Sequence, residues 1–174
     1  MHVACALALF FVATSSPTPL VSHVRSTDRA LTAQLADGCR RSPTLRALVE
    51  RLDASDLFVH VEAGRRLGGG YLQFAESTAH GRYARVIVDV DLDVSQLIAV
   101  IAHELRHATE IAEAPEIVDR ASFQAFYERI GTRRTRCSSG PACYETAAAE
   151  DAAAAVFREI CGRSVPPGGL RTHW

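Results

Sequence analysis

Apolar positions along this chain change period several times, and each change marks an element. Leu45, Leu48, Val49 and Leu52 recur at helical spacing, and Ser42-Pro43 ahead of them supplies an N-cap followed by proline at the first helical position. The spacing predicts a helix that ends by Ser55. Leu57-Phe58-Val59-His60-Val61 then alternates as a half-buried strand does, and Tyr71 to Phe74 and Arg85 to Val90 predict two further strands. Gly68-Gly69-Gly70 is turn chemistry after the first strand, and His80-Gly81 turns the last two into a hairpin. From Val94 to Ala114 the helical period returns. Leu97, Ile98, Ile101, Leu105, Ala108 and Ala112 share one face, and Asp93 with Gln96 three residues on reads as a capping box that sets the helix start. Pro115 ends that helix and starts another, in which Ile117, Val118, Ala121, Ala125 and Tyr127 can pack. A last helix runs from about Tyr144 to Ile160, with Val156, Phe157, Ile160 and Cys161 on its apolar arc.

Composition narrows the class. At 174 residues, 48% hydrophobic and 22% charged, the chain has material for one domain with an adequate core, placed at 23–165. A formal net charge of -1 and scattered arginines form no basic stripe, which argues against a nucleic-acid partner. Val3 to Ala13 is apolar, Thr14 to Pro17 follows, and the first formally charged residue is Arg25. That grammar reads as a signal peptide over 1–22 and implies a secreted or periplasmic protein, although the n-region has only His2; an ordinary buried helix is the competing reading. The run is too short to span a bilayer, so membrane insertion after cleavage is not expected. The end of the chain, 166–174, reads as a flexible tail. Cleavage would leave Cys39, Cys137, Cys143 and Cys161. The loop chemistry of Ser138 to Pro141 favours pairing Cys137 with Cys143, and Cys39 with Cys161 follows by elimination; four unpaired thiols are the alternative.

The chemistry is concentrated in His103-Glu104-Leu105-Arg106-His107. Imidazoles four residues apart on a helix lie one turn above the other, so their ring nitrogens can converge on one zinc ion. Glu104 sits beside them, where its carboxylate can take a proton from water that the metal has acidified. The bland reading is a surface helix with solvated histidines and Glu104 paired to an arginine.

On this motif and its mostly uncharged neighbours, Val100-Ile101-Ala102 and Ala108-Thr109, the chain resembles the zincin metallopeptidases, with Arg106 as a departure. The metzincin continuation is absent: Glu110 occupies the glycine position, and the only methionine is Met1. The resemblance is therefore to the gluzincin branch. It implies an α+β fold in which a small twisted antiparallel sheet precedes the active-site helix and C-terminal helices. It further implies a Zn2+ cofactor, a peptide or protein substrate docked on an edge strand, here Tyr71 to Phe74 or its partner, and a glutamate ligand early in a second helix. Glu145 is the favoured ligand, beside the small residues Ala147, Ala148, Ala149 and Ala152; Glu110 and Glu150 stay open as alternatives, Glu110 more naturally as a hydrogen-bond partner of a histidine. The stretch Glu110 to Glu116 also resembles uncharacterised exported bacterial proteins. The expected activity is zinc-dependent peptide hydrolysis with Glu104 as base; the alternative is a non-catalytic exported protein with a zincin-like core that binds metal or a partner. Tyr127 and Tyr144 are candidate oxyanion donors. Asp89, Asp91 and Asp93 lack the glycine and glutamate of a calcium loop, and His60 and His80 read as structural.

Overall fold

The computed structural model of the chain describes residues 22–134 and 143–162. A short strand β1 (Val24–Arg25) leads into two helices, α1 (Arg29–Arg41) and α2 (Pro43–Asp53). Ser42 caps α2 through its hydroxyl, which accepts from Leu45 N, and Pro43 follows it, as the sequence predicts. Three strands come next, β2 (Leu57–Gly64), β3 (Gly70–Thr78) and β4 (Gly81–Asp89), then α3 (Val94–Ala112) and α4 (Arg120–Ile130). A small hairpin, β5 (Thr132–Arg134) with β6 (Cys143–Glu145), precedes α5 (Ala147–Cys161). The class is α+β, as expected.

The pairing of strands departs from expectation. The sheet order is β1-β2-β4-β3, and β2 runs parallel to both β1 and β4, so the sheet is mixed instead of wholly antiparallel. Within this four-stranded sheet the β3–β4 hairpin is the antiparallel pair: Thr78 pairs with Gly81 across Ala79-His80, and Gly81 at φ +137° takes a conformation that side chains disfavour. The reason lies in β4. Its Ala84, Val86, Ile87 and Val88 are all buried, so it gains most from a central position between β2 and β3. Exposed Gln73 and Glu76 leave β3 as the edge.

The α3 helix crosses the inner face of this sheet. Leu97, Ile98, Ile101 and Leu105 are fully buried against a face that presents Val59, Val61, Val86 and Val88. Asp93 caps it by accepting from Ser95 N and Gln96 N. Its approach to β3 depends on Gly70, where a Cβ would lie 2.7 Å from Val100 Cγ1. The far end is held by Arg82, a buried guanidinium that donates to the carbonyls of Ile111 and Ala114, each at 2.8 Å, and of Ala112 at 3.1 Å, while gripping Asp56 through Nε and a terminal nitrogen. Such contacts add charge-assisted donors to carbonyls at the helix end, where Ile111 O and Ala114 O each accept one backbone amide at 3.1 Å.

Several sequence expectations are corrected. The segment after Pro115 is not helical until Arg120, because Asp119 is the residue that caps α4; Val118 is exposed, as are Ala121 and Ala125, and Phe126 with Tyr127 forms the buried side. Cys39 and Cys161 are free thiols. Hydrogen bonds join that corner instead: Glu159 on α5 accepts from Thr44 Oγ1 at 2.7 Å and from the Ser42 hydroxyl, and Arg41 donates to the Ile160 carbonyl at 2.5 Å. The pairing of Cys137 with Cys143, the signal peptide and the tail reach residues outside those described. Among the described residues, no helix is long and apolar enough to cross a membrane.

Candidate metal centre

Two elements far apart in sequence build the site. The helical repeat of α3 stacks His103 and His107 one turn apart, with ring centroids 4.9 Å apart and nearly perpendicular planes. Both are buried. Glu145 arrives on β6, where it pairs with Thr132 of β5. Its placement corrects one expectation: Glu145 precedes the helix by two residues instead of lying within it. Thr146 is the cause, because its extended backbone and its hydroxyl, which accepts from Ala149 N, start the helix at Ala147. The small residues Ala149, Ala152 and Ala153 are buried as α5 packs on α3, and the close approach they allow places Glu145 over the histidines.

The donor atoms converge. Glu145 Oε2 lies 2.8 Å from His103 Nε2 and 3.4 Å from His107 Nε2, and one donor from each of the three residues falls within 4.8 Å of the others. A tetrahedral zinc ion with ligand bonds near 2.0–2.1 Å spaces its donors by roughly 3.4 Å, the distance that already separates Glu145 Oε2 from His107 Nε2, and a donor pair at the 4.8 Å limit would close by about 1.4 Å to reach it. The group could hold a metal ion, and two imidazoles with one carboxylate are donors that zinc accepts.

Neither rival carboxylate is available as third ligand. Glu110 Oε2 accepts from His107 Nδ1 at 2.9 Å and its Oε1 accepts from Thr146 Oγ1 at 2.8 Å, while Tyr127 Oη lies 3.2 Å from Oε2 and 3.0 Å from the His107 carbonyl oxygen. Because a carboxylate only accepts, His107 Nδ1 carries a proton and Nε2 is the atom turned toward Glu145. Glu150 pairs with Arg134 at 2.6 Å on the surface.

Charge is balanced inside the site. In the metal-free protein burial works against charge on His107, but its hydrogen bonds to Glu110 and Glu145 outweigh that and hold its pKa at about 10. Burial likewise opposes ionisation of Glu145, yet hydrogen bonds from His103 and His107 bring it down to about 2. Glu104 is different. Burial raises its pKa, and the nearby histidines only partly offset the effect, so its carboxylate is a stronger base than usual.

Glu104, His107 and Glu145 line a cleft of about 690 Å³, bordered by β3 from Gly70 to Phe74 on one side and by Phe123 and Tyr127 of α4 on the other. The edge strand suspected from sequence order is thus the one that borders the site. Tyr144 also lines the cleft, whereas the Tyr127 hydroxyl faces two acceptors and has no second proton to offer. His60 pairs with Glu62, His80 sits in the exposed hairpin turn, Asp89 accepts from the Leu67 and Gly68 amides, and Asp93 caps α3. Sequence reasoning missed Thr146, although a threonine just before an alanine run is a helix-start signal. Comparison with known proteins returns no matching family model, no matching curated protein and no matching solved structure.

Proposed function

We propose that this protein is a zinc-dependent peptidase of gluzincin-like type, exported from the cell, acting on peptides or proteins. The observation that carries the reading is the convergence of His103, His107 and Glu145 within 4.8 Å beside a buried glutamate in an open cleft. His103, His107 and Glu145 would hold the ion. When bound, zinc supplies a Lewis acid that acidifies water and polarises a carbonyl. Glu104 takes the proton of the attacking water and hands it to the leaving amine, and its raised pKa suits both halves of that transfer. An extended substrate would add to the free edge of β3, pairing main chain to main chain across the cleft mouth.

The test is zinc content of purified protein, followed by digestion of a peptide library with and without chelator, with Glu104→Gln as control. About one zinc per chain, chelator-sensitive cleavage and a dead glutamine variant support the reading. Zinc without cleavage supports the non-catalytic metal-binding alternative, and protein that takes up no zinc overturns both.

A further inference from the structure

We propose that Glu110 is a positioning residue that clasps the two halves of the metal centre together; this rests on the zinc reading above. The site has a construction problem. Glu145 stands 42 residues after His103, on a different element, so the three donors share an ion only if α3 and the β6–α5 junction keep one relative placement. Glu110 touches both sides. One carboxylate oxygen accepts from His107 Nδ1 at 2.9 Å, and the other accepts from Thr146 Oγ1 at 2.8 Å. Thr146 adjoins Glu145 and caps α5, its Oγ1 lying 3.2 Å from Ala149 N. A single side chain therefore locks the ring of one donor and the residue next to another.

Burial makes the clasp effective. Glu110 is only 7% exposed, so water does not compete for these hydrogen bonds. With Nδ1–H held, the His107 ring cannot swing Nε2 away from the ion position. With Thr146 held, β6 cannot slide along α3. An amide in place of the carboxylate has one acceptor oxygen instead of two, so it cannot accept from both partners at once. Valine at 146 removes the hydroxyl but keeps the β-branched shape, whereas serine keeps the hydroxyl.

Zinc dissociation constants measured by competition with a chromophoric chelator test the idea on the full chain. The variants are Glu110→Gln, Thr146→Val, Thr146→Ser and the double variant Glu110→Gln/Thr146→Val. Loss of a partner that orients a ligand typically weakens metal binding roughly 10- to 100-fold, and Glu110→Gln and Thr146→Val are each expected in that range. Thr146→Ser is expected within about threefold of the parent, and the double variant is expected to lose less than the product of the single losses, since both cut one link. Should Glu110→Gln fail to fold, the Val and Ser variants at 146 still decide the matter. Parent-like affinity in Thr146→Val, equal losses for Ser and Val, or losses that multiply independently overturns the clasp. A parent protein that binds no zinc overturns the site reading itself, which keeps the two failures apart.

Discussion

Arg82→Met removes the guanidinium that holds the end of α3, the helix that carries His103 and His107, and leaves an unbranched chain of similar length in its place. The Arg82 side chain is 5% exposed, while its partner Asp56 is 57% exposed. Asp56 can therefore return to water, and its share of the loss is about 1 kcal/mol at most. The carbonyls cannot. Ile111 O and Ala114 O each keep one backbone amide at 3.1 Å but lose a 2.8 Å charge-assisted bond inside the protein, a contribution of about 1.5–3 kcal/mol each. The sum is about 4 kcal/mol, within the range for breaking a buried ionic network, and for a chain of this size it lowers Tm by roughly 10 °C. Urea unfolding of the zinc-free protein, followed by far-UV circular dichroism, measures it as a lower midpoint at unchanged m. Asp56→Asn is the control, expected to cost less than about 1 kcal/mol. A loss under about 1 kcal/mol for Arg82→Met, or an equal loss for Asp56→Asn, would refute the argument that the helix-end carbonyls carry the effect.

Other outcomes follow from the same geometry. Glu104→Gln should keep zinc affinity within a few-fold while turnover of a peptide substrate falls about 10²- to 10⁴-fold, read by single-substrate kinetics on zinc-loaded protein. Gly70→Ala forces a methyl to within 3.0 Å of the Ile87 carbonyl oxygen as well as against Val100, and thermal unfolding should register about 1–3 kcal/mol of overpacking. The zinc-free protein should have a two-sided pH profile. Glu145, held at about 2, contributes stability that is present above its ordinary 4.5 and lost as pH falls through 2. His107, held at about 10, contributes stability that is complete below its ordinary 6.5 and lost as pH rises through 10. Denaturation measured across pH should show saturating zinc removing the alkaline limb, since Nε2 must shed its proton to bind, and Glu145→Gln reducing the acid limb.

Much of the site was legible in the chain because its information is local. A helical period places His103 and His107 on one face whatever surrounds them, and Asp93, Ser42 and Pro43 mark helix starts through contacts within a few residues. The donor pair, the adjacent Glu104 and the α+β class needed nothing more. Glu145 was a harder case. Its competition with Glu110 and Glu150 could not be decided on a helical wheel, because Glu145 lies on β6 instead of a helix, and its rivals are engaged by partners distant in sequence, Thr146 for Glu110 and Arg134 for Glu150, beside the local bond of Glu110 to His107.

Tertiary structure alone decided the rest. The order β1-β2-β4-β3 turns on which strand gains most from being covered on both edges, a comparison between segments that no single segment contains. The two thiols, Cys39 and Cys161, are free, and hydrogen bonds from Arg41, Ser42 and Thr44 join those helix ends. Arg82 left a trace, since it shares the inward parity of Ala84, Val86 and Val88, but an arginine on an apolar face has meaning only once the helix carbonyls it meets are in place. Periodicity and caps are written residue by residue; pairing, burial of charge and the meeting of donors from distant segments exist only in the folded chain.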